Sequence, residues 1–86
     1  MMTAEIELGP GEKIRPLIAA AIALKCRQCK SKVCLSCGEF LNIDGRSFEH
    51  VHRLGNITDP LVRIVVSGKD ELPVMCELRD LVKYGK

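Results

Sequence analysis

Aromatic residues are scarce in this chain: they make up 3% of its 86 residues, with two phenylalanines, one tyrosine and no tryptophan. Proteins that bind unpaired nucleic acid usually stack the bases on aromatic side chains, so the composition argues against such a stacking surface. Hydrophobic residues nevertheless make up 47% of the chain, and an aliphatic core is therefore expected. At this length we expect one small domain of marginal stability, for which a bound metal is a plausible support.

The sequence also lacks a long apolar run and a signal-peptide pattern. The longest apolar run, residues 17–24, is far shorter than the ~20 residues that a membrane-spanning helix needs. No basic head followed by an apolar stretch opens the chain, so no secretory signal is expected. We therefore expect a cytoplasmic protein with no membrane association, in which disulfides are uncommon. The net charge of +2 permits a nucleic-acid partner without requiring one.

Four of the five cysteines are paired in the sequence. Cys26-x-x-Cys29 and Cys34-x-x-Cys37 are separated by four residues, and each pair suits two corners of a tetrahedral zinc site. All four thiolates could hold one ion, or the second pair could join a more distant ligand. Free thiols or disulfides are the alternatives, and a redox pair is disfavoured because no βαβ pattern surrounds these residues. The sequence thus predicts a structural Zn²⁺ site with its ligand set open.

The hydrophobic pattern divides the chain into a polar leader and one domain. The leader is expected at residues 1–11 and the domain at residues 12–86. Apolar spacing and turn residues predict four parts of the domain: a helix at 12–25, a zinc knuckle and hairpin at 26–52, a loop with a strand at 53–69, and a helix at 70–84. The hairpin is expected to turn at Asp44-Gly45 and to return as a strand.

The second half of the sequence, residues 34–86, resembles the HNH endonuclease family, whose core is a ββα-metal, treble-clef-like fold. The matching residues are the Cys34-x-x-Cys37-Gly38 knuckle, His50 after an acid, and Leu72, Cys76 and Lys83 near and on the last helix. Glu49 stands where the family usually has Asp or His, and Asp80 stands where it has the last His. The resemblance implies an α+β fold, namely a small zinc-stapled ββα-metal domain with an added N-terminal helix. It further implies zinc ligands at Cys34, Cys37 and Cys76, with Cys26 or Cys29 completing the set.

The resemblance also implies a reaction. In HNH enzymes the histidine after the acid activates water for attack on a phosphodiester, and one divalent ion stabilises the scissile phosphate. By position, His50 is the general base, and Glu49 and Asp80 are the ligands of Mg²⁺ or Mn²⁺. Glu71 replaces the family's Asn, and Arg79 replaces its fourth cysteine. The expected function is a metal-dependent DNA endonuclease of phage-derived type.

The second hypothesis is a catalytically inactive zinc-binding module that contacts nucleic acid or a protein partner. Its contact surface would be the most basic segment of the chain, with cations at Lys25, Arg27, Lys30 and Lys32. A solvated loop is an equally good interpretation of that segment. Convergence of Glu49, His50 and Asp80 on one ion would favour the enzyme over the binding module.

Overall fold

The computed structural model describes residues 1–8, 14–54 and 61–84. Seven elements follow one another: β1 (Met2–Glu7), α1 (Pro16–Gln28), β2 (Lys32–Cys37), β3 (Phe40–Asp44), α2 (Phe48–Leu54), β4 (Leu61–Ser67) and α3 (Glu71–Tyr84). The strands form one antiparallel sheet in the order β1-β4-β2-β3. Helix α1 packs against both α2 and α3, and together the helices cover one face of the sheet. Within these ranges, no helix has the length and apolar character needed to cross a bilayer.

Alternation along the strands decides which side chains enter the core. On β4, Val62, Ile64 and Val66 are buried beneath the helices, whereas Arg63 between them is exposed on the opposite face. This period of two is the pattern of a sheet with one covered face and one open face. Burying each aliphatic side chain contributes roughly 1.5–3 kcal/mol, so the aliphatic layer between sheet and helices is the main source of stability.

The expected zinc-stapled ββα-metal domain is wrong, and an open four-stranded antiparallel sheet with helices takes its place. Within the described ranges, no three His, Cys, Asp or Glu side chains are placed to hold a metal ion together. The sheet begins with residues 2–7, which the sequence analysis assigned to a polar leader. In that segment Ile6 is buried and Met2 and Ala4 pack against the core, while Thr3 and Glu5 are exposed. The alternation is that of a strand with one covered face, and the strand order places it at the edge of the sheet.

Cys34 and Cys37 lie on β2 and do not form a zinc knuckle. Residues three positions apart on a strand face opposite sides of the sheet. Accordingly, Cys37 is buried in the core, whereas Cys34 is half-buried on the open face beside Val65 of β4. Gly38, with a positive φ of 60°, makes the turn into β3. The two thiolates therefore cannot converge on one ion while β2 is formed.

The segment expected to return as the second strand of a hairpin forms α2 instead. The carbonyl of Ser47 accepts the N–H of Val51 at 3.0 Å, which starts the helix. Val51 and Leu54, three positions apart, are both buried. Because three-residue spacing places side chains on one face of a helix, the two residues anchor α2 to the core.

Candidate protein-docking face

The residues expected to bind a catalytic ion lie on two helices. Glu49 and His50 are exposed on α2, and Asp80 is exposed on α3. None of them belongs to a metal-binding group in the part of the chain that the structure describes. The convergence on one ion that would favour the enzyme hypothesis is therefore not observed there.

The five cysteines have different environments. Cys26 and Cys37 are buried, Cys29 and Cys34 are half-buried, and Cys76 is exposed on α3. Burial raises the pKa of the Cys26 thiol to about 12, so this residue is a neutral core side chain at physiological pH. The expected set of zinc ligands is thus dispersed over the core, the sheet and the surface.

Three of the four cations of the basic segment, Lys25, Arg27 and Lys32, lie in different parts of the structure. Lys25 forms an ion pair with Glu77 of α3, and this hydrogen bond raises the pKa of Lys25. Arg27 donates its Nε to the carbonyl oxygen of Arg46 at 3.1 Å, on the side of α2. Lys32 is exposed on β2. A phosphate backbone needs several cations on one surface, and this arrangement does not provide them.

Apolar side chains of α1 are exposed along the side that faces away from the sheet. Leu17 is 79% exposed and Leu24 is 58% exposed, and Ala20 between them is also exposed. Spacings of three, four and seven residues place the three side chains in one row along the helix. The opposite side of α1 enters the core through Ala19, Ile22, Ala23 and Cys26. Helix α1 is therefore apolar on a buried side and on a solvent side.

Helix α2 continues this apolar surface. Phe48 is 40% exposed, and its ring stacks on the His52 imidazole with centroids 5.5 Å apart and planes 27° apart. Helix α1 packs against α2, and the bond from Arg27 to the Arg46 carbonyl lies where the two helices meet. We name Leu17, Ala20, Leu24, Phe48 and His52 together the α1–α2 face. Exposed apolar side chains on two helices that pack together are characteristic of interaction sites.

Positive charge borders the α1–α2 face. The N-cap residue of α1, Arg15, makes no side-chain cap hydrogen bond, and the first turn carries no acidic residue. The partial positive charge of the helix N-terminus is therefore uncompensated within α1. Arg15, Arg27 and Arg53 are exposed. Glu49 on α2 is exposed as well, so the border is predominantly but not uniformly basic.

No protein-family model and no curated protein matches the chain. Solved structures do match it. HPr-C-His from Thermoanaerobacter tengcongensis aligns with a TM-score of 0.79 and 20% identity, over 100% of this chain and 98% of the other. A phosphocarrier protein HPr from Bacillus anthracis str. Ames aligns with a TM-score of 0.79 and 12% identity, over 95% of this chain and 96% of the other.

The chain has an HPr-like fold. The TM-scores of 0.79 establish the fold, whereas sequence identities of 20% and 12% are too low to transfer a function, which must be argued from the site itself. The HPr-like fold contradicts the expected HNH family, its endonuclease activity and the zinc-binding module. A DNA partner loses its support for the same reason.

The apolar spacing predicted a helix at 12–25 but did not show that Leu17 and Leu24 would be exposed on it. Apolar residues occur almost all around this helix, and periodicity alone does not then distinguish the buried side from the exposed side. The signal that could have revealed the face was an excess of apolar positions. Leu17 and Leu24 remain after Ala19, Ile22, Ala23 and Cys26 have filled the core side.

Proposed function

We propose that this chain is a small protein-binding module that docks a protein partner through the α1–α2 face. The observation that carries the proposal is the exposure of Leu17, Leu24 and Phe48 on two helices that pack together. When another apolar surface covers these side chains, water is displaced from them. The complex is then stabilised by about 25 cal/mol for each Å² of apolar surface buried.

The partner surface is expected to combine an apolar centre with acidic residues around it. Leucine and phenylalanine side chains would fill its apolar depressions, and carboxylates would face Arg15 and Arg27. We expect the partner to be met in the cytoplasm, where thiols stay reduced, and no disulfide joins any of the five cysteines.

A second candidate function is phosphoryl carriage. It is favoured by the similarity to a phosphocarrier protein and by the positions of the only two histidines of the sequence, His50 and His52. Both lie on α2, with His50 exposed and His52 half-buried. A ring nitrogen would attack the phosphorus of a donor, the donor's bond to phosphorus would break, and the imidazole would release a proton.

Phosphoramidate provides a direct test of phosphoryl carriage, because it transfers its phosphoryl group to accessible imidazoles without an enzyme. Phosphorus NMR should then show a phosphohistidine signal that one of two variants, His50→Gln or His52→Gln, abolishes. A signal lost only in the double variant would mean unselective chemistry, and no signal would reject both histidines. Either result counts against the carrier and leaves the docking proposal intact.

Site-specific photo-crosslinking tests the docking proposal. A photoreactive amino acid replaces Ala20 at the centre of the α1–α2 face or, as the control, Thr3 on the open face of the sheet. Irradiation in the cell should give a discrete protein adduct from position 20 and none from position 3. Equal adducts from both positions, or none from position 20, would contradict the proposal.

The crosslinked partner then allows a quantitative measurement with the native chain. A well-packed apolar anchor contributes about 2 kcal/mol or more to binding, which corresponds to a roughly 30-fold increase in Kd on its loss. Leu24→Glu should weaken binding by at least this factor in calorimetry. Leu72→Glu is the matched control, because Leu72 is 60% exposed but lies on α3, and its affinity should stay close to that of the native chain.

A further inference from the structure

Cys26 and Cys29 lie on the two sides of the point where α1 ends. Cys26 occupies the last turn of α1, and Cys29 is the C-cap residue, with φ −84° and ψ 164°. Three helical steps place the two Cα atoms about 5 Å apart, which is within the range of about 4.4–6.8 Å for disulfides. We propose that this thiol pair is a redox site that closes to an intrachain disulfide on reaction with a small-molecule disulfide such as oxidised glutathione.

The two thiols are exposed to solvent to different extents, and this difference decides which of them reacts first. Cys29 is half-buried, whereas Cys26 is 1% exposed and packs beneath Gly45 and Val33. A reagent from solution therefore reaches Cys29 first. Lys30, which is exposed, follows Cys29 directly, and its positive charge attracts the carboxylates of glutathione.

The reaction is two successive thiol–disulfide exchanges. The Cys29 thiol loses its proton, its sulfur attacks one sulfur of oxidised glutathione, and the departing glutathione thiolate takes up a proton. The Cys26 thiolate then attacks the Cys29 sulfur and releases the second glutathione in the same way. Two protein thiols are oxidised, and one molecule of oxidised glutathione is reduced to two of the thiol. Burial raises the pKa of Cys26 to about 12, so the second exchange is the slower one.

Closing the disulfide disturbs the end of α1. Cβ atoms three positions apart on a helix are about 5–6 Å apart, whereas a disulfide needs about 3.5–4.5 Å. The N–H of Cys29 donates to the Lys25 carbonyl at 3.0 Å. Its Sγ donates to the carbonyls of Cys26 and Ser31, both at 3.3 Å. Oxidation must break these thiol contacts and draw the last turn out of helical geometry.

The remaining cysteines do not offer an equivalent partner. Cys34 faces the open side of the sheet beside Val65, and Cys37 is in the core at the end of β2. Cys76 is exposed on α3. Only Cys26 and Cys29 share one helix end, so the cross-link is expected to be specific to them.

The experiment equilibrates the native chain with oxidised and reduced glutathione, blocks free thiols with an alkylating reagent and maps the tryptic peptides by mass spectrometry. Trypsin cuts after Lys25, Arg27 and Lys30, which separates this pair from the peptides that carry the other three cysteines. The expected product is a peptide of residues 26–30, or its two linked fragments, lacking two hydrogen atoms and carrying no alkyl group. Dithiothreitol should restore both alkylation sites.

Two variants accompany the native chain. Cys29→Ser should lose the cross-link, whereas Cys76→Ser should form it as the native chain does. In hydrogen exchange, the Cys29 amide should exchange faster in the oxidised native chain and not in glutathione-treated Cys29→Ser. A glutathione adduct that persists on Cys29 at equilibrium, a cross-link to another cysteine, or full alkylation of Cys26 and Cys29 would each overturn the proposal.

Discussion

Asp70 links the connection between α1 and β2 to the start of α3. Its carboxylate accepts hydrogen bonds from the backbone N–H of Lys30, at 2.9 Å, and from the hydroxyl of Ser31. Its own carbonyl accepts the N–H of Val74 at 3.2 Å and starts α3. The α1–β2 connection is thereby held to the N-terminus of α3. The bond from the Lys30 N–H is the largest cause that lowers the pKa of Asp70.

We predict that Asp70→Asn lowers stability at neutral pH and has little effect in strong acid. A carboxylate whose pKa is lowered by folding stabilises the protein above its unfolded pKa, ordinarily 3.8, and loses this contribution as the pH falls through the folded value. Urea unfolding across this range should show the two proteins converging below pH 3.8. Asp80→Asn, on the exposed side of α3, is the control. A difference between native and Asp70→Asn proteins that persists unchanged in acid would refute the charge-based role.

Gly45 is required by the close approach of Cys26. A Cβ atom added at Gly45 would lie 2.8 Å from the Cys26 Sγ and 3.0 Å from the Val33 Cγ1. The backbone of Gly45 also donates its N–H to the Val33 carbonyl at 3.0 Å. The turn between β3 and α2 therefore sits directly on the end of α1, and its position depends on the absence of a side chain.

We predict that Gly45→Ala destabilises the fold by about 1–3 kcal/mol through overpacking. Cys26→Ala removes the nearest clashing atom, so the double variant should cost less than the sum of the two single variants. A double-mutant cycle by urea unfolding measures this coupling. Additive costs would mean that Gly45 and Cys26 do not compete for the same space. The remaining contact with Val33 limits how much stability returns.

At the scale of elements, α1 has apolar side chains on two sides, and only those on the buried side are expected to stabilise the fold. Ile22 is fully buried, whereas Leu24, two positions later, is 58% exposed. We predict that Ile22→Ala costs about 2–5 kcal/mol of unfolding free energy, while Leu24→Ala changes it by about 0.5 kcal/mol or less. Chemical denaturation of the two variants measures both values. A large loss at Leu24 would show that the exposed row supports the fold and is not kept for a partner.

The elements differ in how far the sequence could predict them. β4 and α3 carry unambiguous patterns, with Val62, Ile64 and Val66 alternating on the strand and Val74, Leu78 and Val82 spaced for one helix face. β2 has the same alternation, but only if Cys37 is counted as an apolar residue. The paired cysteines favoured metal chemistry over that interpretation.

The other errors came from short elements. β1 alternates Met2, Ala4 and Ile6 toward the core, and a pattern of three weak apolar positions beside glycines and a proline is easily taken for a leader. α2 has seven residues with two buried anchors, too few for a helical period to be visible. The surplus of apolar positions on α1 could have indicated its exposed row, but the share of α2 in the α1–α2 face depends on where α2 packs, which is a property of the tertiary structure.

At the scale of the whole molecule, β1 and β3 are the edge strands of the sheet, and each pairs with only one other strand among the described residues. The free N–H and C=O groups of an edge strand can pair with a strand of another chain unless charge or irregular geometry prevents it. β1 carries the exposed carboxylates Glu5 and Glu7. β3 carries the exposed apolar residues Phe40 and Leu41, but its pairing with β2 shifts register and Asn42 has a φ of 54°.

The two edges are thus protected by different physical means, and they respond differently to the solvent. Glu5 is ion-paired with Arg63 of β4 at 3.6 Å, so the repulsion between two β1 edges comes mainly from Glu7. Salt shortens the reach of charge to about 3 Å at 1 M and therefore weakens this repulsion. The irregular backbone of β3 hinders pairing at every salt concentration. Self-association of this protein in high salt should therefore begin along β1, and dilution into low-salt buffer should reverse it.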